Sequence, residues 1–161
     1  MLIEKEGYTF SVDIEKTKEY YDNLELCNCD YCLNFYAQAG RQLPQIAAFL
    51  EEFGVDIERP DAVESVQLDD KIEYISVYYS VCGKITDQND YVREINDKQP
   101  VKVSVFNVNS GNYFLNLQEN EYFGISLRGF CFDWVLDKPL QKNSKRNIIK
   151  TVKQFFNKKG D

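Results

Sequence analysis

Cys27-Asn28-Cys29-Asp30-Tyr31-Cys32 places three thiols within six residues of a chain that has no histidine. Thiolates at C-x-C and C-x-x-C spacing can surround one metal ion, and a closed structural zinc site takes four ligands. The candidates for the fourth are Cys82, Cys131 or a carboxylate such as Asp30, because no second C-x-x-C exists. A different chemistry treats Cys29 and Cys32 as a redox dithiol at a helix start, where the helix dipole lowers the pKa of the first thiol. That motif belongs in a strand–helix–strand setting, and here it lies between two predicted helices. On residue types alone a plainer reading ranks first: the cysteines are small hydrophobes where a loop enters a helix.

Other catalytic constellations are missing. Without histidine there is no Ser-His or Cys-His nucleophile pair. The eight glycines are scattered, with no phosphate-cradling loop. No serine lies in G-x-S-x-G. The acidic pairs Glu51-Glu52, Asp69-Asp70 and Glu119 with Glu121 leave a carboxylate-based hydrolase as one alternative. Each pair reads first as solvated surface. The expectation is therefore a protein that is not an enzyme, with no cofactor unless the cysteines hold zinc. The single Trp, Trp134, sits among apolar neighbours and reads as a core anchor before it reads as a recognition residue.

Charge points to a class of partner. The net charge of −7 divides unevenly: residues 138–161 hold eight basic residues and one acidic residue, +7, and residues 1–137 carry −14. So acidic a body repels nucleic acid and suits a basic protein partner. The leading expectation is an acidic protein-binding domain of the immunity or inhibitor kind, with Tyr74, Tyr78 and Trp134 as its contacts. A structural zinc domain built on Cys27, Cys29 and Cys32 with Cys82 or Cys131 is the rival. No apolar run reaches the roughly 20 residues of a membrane span, and Met1-Leu2-Ile3-Glu4-Lys5-Glu6 lacks the apolar core of a signal peptide. The expected location is the cytoplasm, where the five cysteines stay reduced. The basic C-terminal stretch is expected to pack on the acidic body, in preference to a membrane or nucleic acid.

These residues need elements to position them. Periodicity predicts a strand over 8–12, then a helix over 14–23 capped by Asp13, with Ile14, Lys18 and Tyr21 on its buried edge. A helix from Cys29 or Asp30 to Ala39 buries Cys32, Phe35, Tyr36 and Ala39. A third starts near Pro44, buries Ile46, Ala47, Leu50 and Phe53, and ends at Gly54. The period then switches to two. Strands are predicted over 63–68, 72–82, 91–95, 101–108, 113–117 and 122–130, with a hairpin loop at 109–112. In the longest, Ile75, Val77, Tyr79 and Val81 are expected on one face and Tyr74 and Tyr78 on the other. Ser144 caps a last amphipathic helix over 145–157. The fold class is α+β: N-terminal helices, a mostly antiparallel sheet of about five to six strands and a C-terminal amphipathic helix. A single domain covers 1–161, with a helical part at 1–58, a sheet part at 62–137 and the basic helix at 144–158.

The run from Tyr8 to Tyr21, the motif Cys27-Asn28-Cys29-Asp30-Tyr31-Cys32-Leu33-Asn34-Phe35 and the run from Phe49 to Asp61 resemble an uncharacterised family of small bacterial proteins. The similarity extends through Val81-Cys82-Gly83-Lys84-Ile85 and Trp134-Val135-Leu136-Asp137-Lys138-Pro139. It implies a stand-alone bacterial cytoplasmic domain and carries no catalytic or binding residue.

Overall fold

A computed structural model describes residues 1–87, 89–108 and 121–141. The chain runs β1 (Leu2–Lys5), β2 (Tyr8–Val12), α1 (Ile14–Asp22), α2 (Asp30–Tyr36), α3 (Ala39–Gln42), α4 (Pro44–Glu51), β3 (Ala62–Leu68), β4 (Lys71–Ile85), β5 (Tyr91–Asn96), β6 (Pro100–Asn107), β7 (Tyr122–Arg128) and β8 (Phe130–Asp133). The α+β class holds, with all described strand pairs antiparallel. Eight strands appear among the described residues, against the five to six expected. Two of the additions have simple causes. β1 is only four residues long and half charged, so it carries little periodic signal. β8 continues the line of β7 beyond a break at Gly129, whose φ of 77° no side chain tolerates well. The expected strand over 113–117, the loop at 109–112 and the C-terminal helix lie outside the described residues. No helix among the described residues is long and apolar enough to cross a membrane.

β4 organises the sheet. Its first half pairs with β3 on one side and β8 on the other, and its second half pairs with β7 and then β2. β3 pairs Glu64 with Ser76 and Ser65 with Tyr74, which leaves Ile75 as an extra residue on β4. This bulge shifts the alternation by one. Ile72 and Tyr74 then share the buried face with Val77, Tyr79 and Val81, and Ile75 is turned out at 39% exposure. The expected facing of Tyr74 and Ile75 is thus reversed, because a strict period of two cannot register an inserted residue.

The helices cover the sheet much as their periodicity requires. Asp13 caps α1 by accepting from Lys16 N at 3.1 Å. The buried positions of α1 are Thr17 and Tyr21; Lys18, expected at the buried edge, is exposed. Thr17 wins because its Oγ1 both donates to Asp13 O and accepts from Cys82 N, so a small hydroxyl packs where a long stem would not fit. In α4, Pro44 opens the first turn and Ile46, Phe49 and Leu50 are buried. Gly54 follows with φ 79°, and Val55 N closes back on Leu50 O at 3.1 Å.

Gly83 marks the point where β4 leaves β7 to pair with β2. Its φ is 145°, and a Cβ there would lie 2.0 Å from Ser11 O. Backbone cannot yield as a flexible side chain can. Gly83→Ala is expected to lower stability by about 1–3 kcal/mol, read as a shift of the denaturant midpoint. An unshifted midpoint would mean that β2 is not held this close to β4.

Candidate metal centre

The cysteine segment is fastened to the sheet by polar side chains that the apolar pattern does not reveal. Asn34 and Gln38 are both buried, at 0% and 1% exposure. Asn34 Nδ2 donates to Tyr74 Oη and to Asp133 O, each at 3.2 Å, and its Oδ1 accepts from Val135 N at 2.9 Å. Gln38 Nε2 donates to Asn34 O and to Asp133 O. Tyr74 Oη donates to Tyr31 O at 3.1 Å. Phe35 packs between Tyr74 and Phe132, with ring centroids 5.2 and 5.9 Å away. A buried amide must find partners, so these contacts fix α2 against the end of β8.

The other side of α2 is pinned by the chain beyond β8. Lys138 Nζ contacts Asp30 Oδ1 at 2.7 Å. Trp134 Nε1 donates to Lys138 O at 2.7 Å, and the indole meets Tyr31 edge to face at 6.3 Å. Trp134 is thus a half-buried brace for the turn that supplies Lys138. Tyr36 Oη donates to Cys27 O at 3.0 Å, which holds the loop before α2.

Within this frame the Sγ atoms of Cys27, Cys29 and Cys32 all lie within 4.8 Å of one another. Cys32 is buried, and Cys27 and Cys29 are half-buried. Cys29 is the N-cap residue of α2. Hydrogen bonding from Cys32 brings the Cys29 pKa down to about 6, with further help from the N–H groups of Cys32 and Tyr31. The same bond pushes the Cys32 thiol well above the ordinary range, and burial adds to it. Burial raises Cys27 as well, although its sulfur accepts from Cys29 N at 3.5 Å. Cys29 is therefore the thiol of the trio that gives up its proton most readily, and the thiolate is the form that ligates.

The two remaining sulfurs do not join the trio. Cys82 lies at the far end of β4, beside Thr17 of α1, and burial raises its pKa. Cys131 sits on β8 opposite Glu73; Gln99 brackets its backbone, accepting from its N at 2.9 Å and donating to its O at 2.8 Å. The expected fourth sulfur is thus absent, since β4 and β8 direct both cysteines elsewhere. Asp30 is engaged by Lys138.

The residues expected to bind a partner do not form one surface. Tyr74 is completely buried, with its hydroxyl spent on Asn34 and Tyr31. Tyr78 is half-buried on the opposite face of β4, and Trp134 braces its own turn. The acidic pairs Glu51-Glu52 and Asp69-Asp70 are exposed, as is Glu121; Glu52 pairs with Lys5 at 2.8 Å, and Glu119 lies outside the described residues.

Sequence reasoning overlooked a second polar cluster. Tyr20 of α1 donates to the carboxylate of Asp61, and Tyr21 Oη shares its one proton between Ser80 O at 2.8 Å and Asp61 Oδ2 at 3.5 Å. Arg59 Nη2 donates to Tyr21 O at 2.6 Å and Leu24 O at 3.3 Å, closing the end of α1. Desolvation pushes the Asp61 pKa up to about 6 in spite of the tyrosine hydrogen bonds. The available signal was a pair of tyrosines on the helix facing a carboxylate in a Pro-containing turn, which local pattern cannot connect.

No family model, curated protein or solved structure matches this chain. The resemblance to an uncharacterised bacterial family is not touched by these comparisons, and the chemistry of the site rests on its own residues.

Proposed function

We propose that this protein is a thiolate metal-binding domain whose ligands are Cys27, Cys29 and Cys32, working in a reducing, cytoplasmic setting. One observation carries the reading: three sulfurs from one short segment converge within 4.8 Å. At a metal–sulfur distance of about 2.3 Å, ligating sulfurs stand roughly 4 Å apart. The 4.8 Å that bounds the trio lies close to that spacing. Tyr36, Asn34 and Lys138 hold the loop and helix, so little ordering is left for the ion to impose.

The acidic protein-binding surface favoured by the sequence becomes the second reading. The charge of −14 over residues 1–137 supports it, but the burial of Tyr74 removes one of its three proposed contacts. Elemental analysis of protein purified anaerobically without chelator separates the two. About one equivalent of a thiophilic metal per chain is expected, lost in the Cys27→Ser/Cys29→Ser double variant and kept in Cys82→Ser and Cys131→Ser. Less than roughly 0.1 equivalent in the unaltered protein would end the metal reading, because structural thiolate sites bind tightly.

A further inference from the structure

The ligand set also bears on which ion it takes, an inference that rests on the metal reading above. We infer that the Cys27–Cys29–Cys32 trio is a three-coordinate site for monovalent copper and not a closed site for zinc.

The count of ligands is the first argument. A structural zinc site is closed by four ligands, and zinc sites that stay open use imidazoles among their three. This chain has no histidine, and all five of its cysteines are described. Cys82 and Cys131 stand apart from the trio, and among the described residues no His, Cys, Asp or Glu adds a fourth ligand atom to it. Asp30, the nearest carboxylate in sequence, is held by Lys138 at 2.7 Å. A single copy thus offers three sulfurs, and soft thiolates select monovalent copper as well as zinc. Copper in that state has a filled d shell and is satisfied by two or three sulfurs.

The surroundings are the second argument. Cys32 is 1% exposed, and Cys27 and Cys29 are half-buried. The half-buried Cys27 and Cys29 leave one side of the trio open, so a copper donor carrying its own thiol can approach and hand the ion over by ligand exchange. Each thiol that ligates gives its proton to solvent.

The test loads full-length protein anaerobically with monovalent copper and, separately, with zinc. Each loaded sample is challenged with a chromophoric chelator, and the copper sample is read by X-ray absorption. The expected result is about one copper per chain with sulfur-only, three-coordinate scattering, while zinc is stripped by a chelator that leaves copper in place. Cys27→Ser and Cys29→Ser, both half-buried and so tolerant of the change, are expected to weaken copper by more than the roughly 10–100-fold typical of a supporting residue. Zinc held at least as firmly as copper in four-coordinate form would overturn this inference and leave the metal reading intact. Retention of neither ion would overturn both.

Discussion

Phe35→Ala is expected to cost about 3–5 kcal/mol of unfolding free energy, the usual range for a large aromatic removed from a core. Phe35 has no exposed surface and sits at the meeting point of four rings: Tyr74, Phe132, Phe130 and Tyr36, with centroids at 5.2, 5.9, 6.2 and 6.3 Å. Those rings come from β4, β8 and α2 itself, so the site cannot collapse by moving one neighbour. The total stability of a domain this size is about 5–15 kcal/mol, which makes the loss a large fraction of it. Denaturant unfolding should show a lower midpoint with an unchanged slope. Phe35→Leu, which keeps most of the volume, should cost less than about 1.5 kcal/mol. A loss below about 1 kcal/mol in the alanine variant would mean that α2 is anchored by its amide contacts and not by this ring cluster.

The same segment illustrates what a sequence discloses. Most of the apolar stripe was legible: of Cys32, Phe35, Tyr36 and Ala39, all but the half-buried Tyr36 are buried, although α2 ends at Tyr36 and Ala39 opens α3. Asn34 and Gln38 were not, because a polar residue on a helix is ordinarily in water, and only the arrival of Asp133 and Val135 from about one hundred residues away makes burial favourable. Convergence of the three sulfurs was allowed by the C-x-C and C-x-x-C spacing, but the reading of the cysteines as small hydrophobes ranked above it. Exclusion of Cys82 and Cys131 was not legible, since it depends on which end of β4 lies near α1 and on the pairing of β8 with Lys71–Tyr74.

Strand facing failed for a related reason. Alternation in β4 was readable on either side of Ile75, but the bulge is a property of the pairing with β3 and leaves no local mark. A one-residue error there moved Tyr74 from core to surface and with it a proposed partner contact. Global quantities, such as the acidic body and the α+β order of elements, survive such errors because they do not depend on register.

Stability should also respond to pH through Asp61, and the direction is opposite to that of an ion-paired carboxylate. Burial beside Tyr20 and Tyr21 raises its pKa from the ordinary 3.8 to about 6 in the folded protein. Between those two values the native state binds the proton more firmly than the unfolded chain does. The contribution of this group is therefore full below about pH 3.8 and is lost as the pH rises through 6. The interval corresponds to roughly 3 kcal/mol. Other carboxylates titrate in the same region, so the clean measurement is the difference between the unaltered protein and Asp61→Asn, which keeps the shape and an acceptor for the tyrosines without a charge. Relative to that variant, the unaltered protein should be less stable at pH 7 than at pH 4 by up to roughly 3 kcal/mol, with the change centred between pH 4 and 6. The two tyrosines hydrogen-bond the carboxylate from α1, a single helix, so Tyr20→Phe, which removes one of those donors, should widen the interval by raising the Asp61 pKa further. A pH-independent difference between the unaltered protein and Asp61→Asn would show that water reaches the carboxylate and that α1 does not seal it.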